Sequence, residues 1–330
     1  MKKIFFSTLG ILLLAGIVSA SLFYFGKNKK TEAQVVVNNI QPEIKTEAMA
    51  TFPVAGGKIK ILFLGDLMFD RWIRQVGEKK GDNFVFDKIK NLLQGEDLVV
   101  GNLEGPITDK ASVSVASVFG SKENYIFTFP PQTAVDLFQE NIKLVNIGNN
   151  HILNQGQVGL ASTEDFLKNA GVNFFGDPQD QKYRLKIYDL NGLKIGLVNY
   201  NQFMKNAEQQ TLEDIKNAKT QGADVVILYA HWGTEFVSEP EQKIKNLAHG
   251  FVDAGADLII GSHPHVVQTK EVYRGKAIYY SLGNFIFDQY FQSETQKGMG
   301  VEAIFDPATK KIDFKEYHFS LLKNGQTVQN

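Results

Sequence analysis

Residues 58–66 read KIKILFLGD, a seven-residue run that favours a β-strand, followed by glycine and a carboxylate. Four later segments repeat this plan of an apolar strand and a polar motif, namely EDLVV with Gly101-Asn102-Leu103-Glu104, KLVNI with Gly148-Asn149-Asn150-His151, DVVILYA with His231-Trp232-Gly233, and ADLII with Gly261-Ser262-His263-Pro264-His265. In open α/β sheets the ligand crevice lies outside the carboxyl ends of the strands. The five segments therefore predict one site to which oxygen and nitrogen ligands converge.

The rest of the chain from residue 58 onward follows the same rhythm. Short apolar runs alternate with helical stretches, and the last part of the chain is rich in β-type residues. Wholly apolar strands are typical of sheets that are buried on both faces. This pattern predicts a single α/β domain over residues 58–330, with antiparallel strands completing a sheet at its end.

The N-terminal segment predicts a membrane anchor. Residues 4–25 are uncharged, and about 20 apolar residues are enough to cross a bilayer, whereas the apolar core of a signal peptide usually has about 7 to 15. We expect an anchor over residues 1–26 and a tether over residues 27–57, which lack a sustained period. Cleavage as a signal peptide near Val18-Ser19-Ala20 stays open. Both alternatives predict an extracytoplasmic domain, and the first predicts a single-pass protein of the cell membrane.

Composition limits the chemistry and the partners. The chain has no cysteine, which excludes disulfides and thiolate ligands and leaves carboxylate, imidazole and amide groups for a metal such as Mn, Zn, Fe or Mg. After Lys30 the chain carries 30 basic and 36 acidic residues. We therefore expect no nucleic acid as a partner, and we expect a metal to attract any anionic substrate locally.

Two carboxylates are the first candidate ligands. Asp66 follows Gly65, which lets the backbone turn and present the carboxylate at the sheet edge, although a helix N-cap is the alternative role. Glu104 precedes Gly105-Pro106, where a strand must end. A carboxylate in that place can bridge two cations.

The histidines supply further candidates. In extended backbone His263 and His265 would point to the same side, with Pro264 fixing φ between them, so this pair predicts a chelate. A lone histidine such as His231 is more often structural, but the pair makes it a candidate ligand too. Asn150 and His151 offer an amide ligand and a group that faces substrate. We expect His249 and His318 to be structural or solvated.

Six ordered motifs resemble a known family. They are GDLMFDR, GNLEGPIT, GNNHILNQG, YAHWGTEF, GADLIIGSHPHVVQ and YSLGNFIFD, and over residues 58–306 they resemble the poly-γ-glutamate capsule synthesis proteins of the CapA/PgsA type. That family is similar to calcineurin-like metallophosphoesterases. The resemblance implies a four-layer α/β/β/α sandwich that holds one or two divalent metal ions at its strand ends.

The resemblance also implies roles for individual residues. One cation would bind Asp66, Glu104 and His265, and the other would bind Glu104, Asn150, His231 and His263. His151 would act as an outer-sphere acid or charge stabiliser.

Four further positions bear on the site. Met68 stands where phosphoesterases usually place a histidine, and Asn154 stands where relatives often have an aspartate that orients His151. Arg71 is a candidate to bind a substrate carboxylate or phosphate, with a surface salt bridge as the alternative. Asn284 is a candidate partner of a ligand.

The resemblance implies a function in the synthesis, export or attachment of poly-γ-glutamate or a related capsule polymer. It implies a membrane-anchored extracytoplasmic protein. The implied chemistry is that of a metal-dependent hydrolase or transferase. Three alternatives stay open: a metal-dependent phosphoesterase, an epimerase acting at an α-carbon, and a non-enzymatic scaffold or polymer-binding subunit of a capsule synthase. The expected partners are the membrane, an anionic polymer or peptide substrate, and membrane synthase subunits.

Overall fold

The computed structural model describes residues 50–51 and 57–330, which form two β-sheets with helices packed on their outer faces. The prediction of an α/β fold is confirmed in this form. The predicted anchor over residues 1–26 and most of the predicted tether lie outside the described residues. Among the described residues, no helix combines the length and the apolar character that crossing a membrane requires.

The strands and helices of the described residues have the following bounds. The strands are β1 Ala50–Thr51, β2 Ile59–Leu67, β3 Leu98–Leu103, β4 Leu144–Asn146, β5 Asn173–Phe175, β6 Leu185–Leu190, β7 Leu193–Asn201, β8 Val225–His231, β9 Leu258–Ser262, β10 Lys270–Tyr273, β11 Lys276–Tyr279, β12 Asn284–Ile286, β13 Lys297–Phe305, β14 Ile312–Leu321 and β15 Thr327–Gln329. The α-helices are α1 Arg71–Lys80, α2 Lys90–Gln94, α3 Gln132–Gln139, α4 Gly156–Ala170, α5 Gln181–Arg184, α6 Ala207–Thr220 and α7 Gln242–Ala254, with short 3₁₀ turns at Asp82–Phe86 and Lys122–Tyr125.

The two sheets divide the chain between them. Sheet 1 has the strand order β15-β14-β13-β2-β3-β4-β5, with β12 also paired to β2, and its strands β2 to β5 run parallel. Sheet 2 has the order β1-β6-β7-β8-β9-β11-β10, with β7, β8 and β9 parallel. The tail strands β13, β14 and β15 are antiparallel and complete sheet 1, as the β-rich tail predicts. Two residues of the predicted tether, Ala50–Thr51, pair with β6 at the edge of sheet 2.

Three apolar cores hold the layers together. The middle core joins the facing sides of the two sheets and includes Phe63 from β2 and Ile227 from β8. A second core lies between sheet 1 and helices α1 to α4, and a third lies between sheet 2 and helices α6 and α7. Successive residues of β2 alternate between cores, since Ile61 belongs to the middle core and Leu62 to the helix side. Burial on both faces explains why the strands read as unbroken apolar runs.

Two glycines permit close backbone approach at the strand ends. A Cβ atom on Gly65 would lie 1.9 Å from Gly283 O, and one on Gly261 would lie 2.0 Å from Tyr280 O. The expectation that Gly65 ends its strand is wrong, because β2 continues through Leu67 and β12 pairs beside Asp66. Gly65 is therefore required for the approach of a neighbouring chain segment, which a single-strand pattern cannot reveal.

We predict that Gly65→Ala lowers the free energy of unfolding by about 1–3 kcal/mol or more, because the new methyl group overlaps backbone that cannot rotate away. Urea unfolding followed by circular dichroism measures the change. The matched control is Gly250→Ala in α7, where a Cβ meets nothing within 4 Å and the substitution should add about 0.5–1 kcal/mol of helix stability. Equal stability of wild type and Gly65→Ala would contradict the packing described here.

Candidate metal centre

The predicted ligands come from both sheets and meet at one edge. Asp66 lies near the end of β2 and Glu104 directly follows β3, both in sheet 1. His231 is the last residue of β8 in sheet 2, while His263 and His265 follow β9. Strand ends of two facing sheets thus supply a single site, as convergence of the five motifs predicts.

Three groups of ligand-type residues could hold a metal ion. In each group the ligand atoms lie within 4.8 Å of one another, and the groups are Glu104 with His231 and His263, Asp66 with Glu104 and His265, and Glu235 with His263 and His265. The first two groups contain the carboxylates and histidines of the two sets that the family resemblance implies, with Glu104 shared between them, and their role as ligands stays a prediction. Asn150 adjoins the first set, since its Oδ1 lies 2.9 Å from His231 Nε2.

The carboxylate of Glu104 has no hydrogen-bond partner among the described residues. The residue is fully buried, and neither carboxylate oxygen forms a hydrogen bond. The nearest imidazole atoms are His265 Nε2 at 3.5 Å and His151 Nε2 at 3.9 Å from Glu104 Oε1. His263 Nδ1 is likewise buried without a partner. Burying an uncompensated carboxylate is costly. A divalent cation would supply the missing partner of each atom, so this donor set fits a metal.

The protonation states of two histidines favour metal binding, whereas a cation would have to displace a proton from Glu104. Burial raises the pKa of Glu104 well above its usual range, and the neighbouring Asp66 carboxylate raises it further. Burial lowers the pKa of His231 well below its usual range and lowers the pKa of His263 to about 3. Both imidazoles are therefore neutral near pH 7, which is the form that binds a metal ion.

Asn102 fixes the orientation of two of these ligands. Its Nδ2 donates to Asp66 Oδ1 at 2.8 Å and lies 3.3 Å from His231 Nδ1. Its Oδ1 accepts from Asn146 Nδ2 at 2.9 Å and from Asn149 Nδ2 at 3.2 Å. One donor and both acceptor positions of this buried amide are engaged and its second N–H lies next to His231, so the direction of the amide is determined.

The amide chain continues from sheet 1 into sheet 2. Asn199 of β7 donates from Nδ2 to Asn146 Oδ1 at 2.9 Å, and the hydroxyl of Tyr229 in β8 donates to Leu64 O in β2. The sequence does not single out Asn102, Asn146 or Asn199, although each is an amide near the end of an apolar strand. That placement is the one signal that could have identified them.

The backbone conformation of His263 and His265 differs from the predicted one. Both residues have positive φ values, 97° and 58°, so the expectation of extended backbone is wrong. The contacts compensate for this unfavourable conformation, since His263 N donates to Asp66 Oδ2 at 3.2 Å. His265 Nδ1 lies 3.0 Å from Asn284 Oδ1, which leaves Nε2 directed to Glu104.

His151 is held as a neutral base. Asn154 Oδ1 accepts from Phe127 N at 2.8 Å, so the atom that lies 3.1 Å from His151 Nδ1 is the amide oxygen, and Nδ1 carries the proton. Asn154 thus orients the ring without a carboxylate. Burial lowers the pKa of His151 to about 4. In this state Nε2 carries a lone pair and could accept a proton, whereas the outer-sphere acid that the resemblance implies would need this nitrogen protonated, and its role as acid or charge stabiliser stays a prediction.

Two expectations about the first helix need correction. The N-cap of α1 is Asp70, which accepts from Arg71 N at 2.9 Å, so the alternative role of Asp66 as a helix cap is wrong. Arg71 is not in a surface salt bridge. Its buried guanidinium pairs with Asp288 and lies 5.1 Å from the ring centre of Phe127, and its Nε has no hydrogen-bond partner.

Met68 offers the site no ligand atom for a hard cation, whereas Glu235 offers a carboxylate oxygen. Met68 is packed in the core between sheet 1 and its helices, so it contributes apolar contact at the position of the usual histidine. Glu235 forms the third ligand group with His263 and His265. The sequence pattern does not identify Glu235 as a ligand, although Glu235 stands in the motif YAHWGTEF. Only the path of the loop after β8 brings its carboxylate to the histidines.

Comparisons with known proteins agree on one family. The family model of "Bacterial capsule synthesis protein PGA_cap" matches residues 60–289. The "PGA biosynthesis protein CapA" of Bacillus subtilis (strain 168) is 31% identical over 243 residues, which are 69% of this chain and 63% of that protein. The "Capsule biosynthesis protein CapA" of Bacillus anthracis is 30% identical over 269 residues, which are 74% of this chain and 64% of that protein.

The chain thus spans less than two thirds of the length of these relatives, at 63% and 64%. Among solved structures, the crystal structure of TT1561 of Thermus thermophilus matches with a TM-score of 0.43 at 11% identity, covering 78% of this chain and 98% of that one. A similarity of that degree says nothing about the chemistry of the site.

We predict that Glu104→Gln raises the melting temperature of the metal-free protein and removes the further rise that Mn²⁺ gives to wild type. The folded-state pKa of Glu104 is raised above the ordinary value of 4.5, so its contribution to stability is present below pH 4.5 and is lost as pH rises through the folded-state pKa. The advantage of Glu104→Gln should therefore grow with pH. Thermal melts from pH 4 to pH 9 measure it, with Glu78→Gln on α1 as the control. An advantage that does not change with pH would contradict the raised pKa.

We predict that Glu235→Gln weakens binding of one equivalent of Mn²⁺ by about tenfold or more, because the variant loses the charged oxygen of the third ligand group. Isothermal titration calorimetry of the full chain measures the affinity. Glu239→Gln is the matched control. Glu239 lies on the same loop and accepts a hydrogen bond from the Thr269 hydroxyl, so this variant should bind Mn²⁺ with the affinity of wild type. Unchanged affinity in Glu235→Gln would remove Glu235 from the site.

Proposed function

Because this chain belongs to the bacterial capsule synthesis protein family PGA_cap, we propose that it acts in the synthesis, export or attachment of poly-γ-glutamate or a related capsule polymer. We further propose that it is anchored in the cell membrane with its globular domain outside the cytoplasm. The uncharged segment over residues 4–25 supports this location. A membrane-bound synthase and an anionic polymer or peptide are the proposed partners.

The proposed chemistry is metal-dependent hydrolysis or transfer on a metallophosphoesterase-like fold. Two sheets with helices on their outer faces and a site at the strand ends support that fold. The observation that carries the chemistry is Glu104, a buried carboxylate with two oxygens that lack hydrogen bonds, at a point shared by two ligand groups. Asp66, Glu104 and His265 would hold one divalent ion, and Glu104, Asn150, His231 and His263 would hold the other.

A bound divalent ion would lower the pKa of water and polarise the oxygen of the bond under attack. The chain's own residues set the geometry around it. Asn102 orients Asp66 and His231, and Asn154 holds the His151 ring with Nε2 free to accept a proton. After accepting a proton, His151 would be the donor for the leaving group.

Arg71 would act on the substrate side of His151. Its guanidinium and the His151 ring both pack on Phe127, at 5.1 Å and 4.4 Å from the ring centre. Asp288 holds one terminal nitrogen of the guanidinium, while Nε is buried without a partner. We propose that Arg71 binds a carboxylate of the polymer through Nε, because Asp288 holds Nη2 and Asn124 Oδ1 accepts from Nη1 at 3.4 Å.

A phosphoesterase is the second candidate function. The ligand types and their strand-end placement favour it. Met68 counts against it, because a buried thioether occupies the position at which phosphoesterases usually have a histidine. A polymer-binding scaffold with one metal ion and an epimerase are the remaining alternatives, and one set of assays distinguishes all four.

We predict that the double variant His263→Ala/His265→Ala loses bound metal and loses γ-glutamyl-p-nitroanilide cleavage by about 100-fold or more, since two predicted ligands are removed. Elemental analysis and p-nitroaniline release by the full chain measure the two effects. His249→Ala is the matched control, because His249 contacts Glu271 and stacks on Tyr273 away from the site.

The same preparations decide among the alternatives. Faster release of phosphate from p-nitrophenyl phosphate would favour the phosphoesterase, and incorporation of solvent deuterium into a γ-glutamyl peptide without cleavage would favour the epimerase. Binding of poly-γ-glutamate without any turnover would favour the scaffold. A full complement of metal in the double variant would refute the site itself.

A further inference from the structure

The side-chain amide of Asn201 has an unused donor beside the metal centre. Asn201 ends β7 and is 4% exposed, and its Nδ2 has no hydrogen-bond partner. Its Oδ1 accepts from Phe203 N at 3.1 Å. A backbone N–H must meet an oxygen, so the amide cannot be turned around, and Nδ2 is the atom left free.

The register of sheet 2 places this amide next to a predicted ligand. Asn199 pairs with Tyr229 across β7 and β8, and Asn201 pairs with His231 two residues further on. Tyr229 belongs to the core between the sheets, and Asn199 donates to Asn146 in sheet 1, so this pair faces the other sheet. Side chains two residues apart in a strand point the same way. Asn201 and His231 therefore lie side by side, both facing sheet 1.

The residues after Asn201 form a fixed wall of the site. Gln202 donates from Nε2 to Gly233 O and accepts from Gly233 N, each at 2.8 Å, which ties this turn to the loop after β8. The ring of Phe203 then lies edge-on to His263, with the ring centres 4.9 Å apart, and is 49% exposed. A free donor and a half-exposed aromatic ring thus border the same pair of histidines.

A buried N–H without a partner has lost its hydrogen bonds to water and gained none in return, so the free N–H of Asn201 is suited to an acceptor on a bound ligand. The Nδ2 atom of an amide carries two N–H donors and no lone pair for a metal ion, and the amide oxygen is already engaged by Phe203. Asn201 is therefore suited to bind an oxygen of the substrate and not the metal.

We propose that Asn201 Nδ2 donates a hydrogen bond to the carbonyl oxygen of the substrate's γ-glutamyl amide at the His231–His263 side of the centre, while Phe203 packs on the adjoining methylene groups. This assignment rests on the proposed function. A carbonyl flanked by methylenes matches a neutral donor beside an aromatic ring, whereas a phosphate with several charged oxygens would call for cationic donors. Asn201 and Phe203 would then be the residues that distinguish an acyl from a phosphoryl substrate.

Two variants of Asn201 test the proposal while preserving the turn. Asn201→Asp and Asn201→Ser both retain an oxygen that can accept from Phe203 N and both remove the free N–H, and the serine hydroxyl is one bond too short to take the place of Nδ2. The probes are γ-glutamylglutamate and inorganic phosphate, titrated calorimetrically into the full chain loaded with Mn²⁺. Asn246→Ser, an exposed amide on α7, is the matched control.

We expect Asn201→Ser to weaken γ-glutamylglutamate binding by about tenfold and to leave the Mn²⁺ content unchanged. Asn201→Asp should weaken it further, because a carboxylate repels the carbonyl oxygen. Phe203→Ala should weaken binding of γ-glutamylglutamate and leave the affinity for phosphate unchanged.

Three results would overturn the proposal: dipeptide binding by Asn201→Ser equal to wild type, wild-type binding of phosphate that exceeds binding of the dipeptide, or loss of Mn²⁺ from Asn201→Ser. Failure of the proposed function is recognised separately, as wild-type protein that takes up no Mn²⁺. In that event the same titrations on the metal-free chain decide the role of Asn201, and a loss confined to the Asn201 variants would still support it.

Discussion

Two carboxylates of like charge, Asp66 and Glu104, lie fully buried where the edges of the two sheets meet. Like charges in a dehydrated place oppose each other, which is one reason that the pKa of Glu104 is raised. The apolar core between the sheets keeps both groups where they are, because moving either would separate strands that are packed on both faces. Protonation of Glu104 relieves this repulsion in the metal-free protein, and a cation bound between the two carboxylates would relieve it as well.

The two carboxylates differ in their hydrogen bonds. Asp66 accepts from Asn102 and from the backbone of His263, so its direction is set by the protein alone. Neither carboxylate oxygen of Glu104 accepts a hydrogen bond, so both oxygens stay available to a cation. One carboxylate is thus preorganised, and the other stays available. This division suits a residue that is shared by two cations, since a bridging group must present both of its oxygens.

The sequence predicted those parts that depend on single strands. The position of His231 at the end of β8 and the convergence of strand ends follow from apolar runs and where they stop. Features that depend on contacts between neighbouring segments could not be predicted from the sequence. Gly65 is needed for the approach of Gly283, and His263 and His265 have left-handed backbone that contacts with other strands sustain. Asn201 and Glu235 gain meaning only from the register and loop that place them beside histidines.

The side-chain amides of Asn199, Asn146 and Asn102 form a chain of hydrogen bonds that ends at Asp66. Carboxamides neither gain nor lose protons in the range where carboxylates and imidazoles titrate. Acidification can therefore change the charge of the ligands while the frame that aims them keeps its shape. Loss of metal in acid should for this reason be reversible, because a site whose scaffold never ionises is ready to bind again when its histidines are neutral.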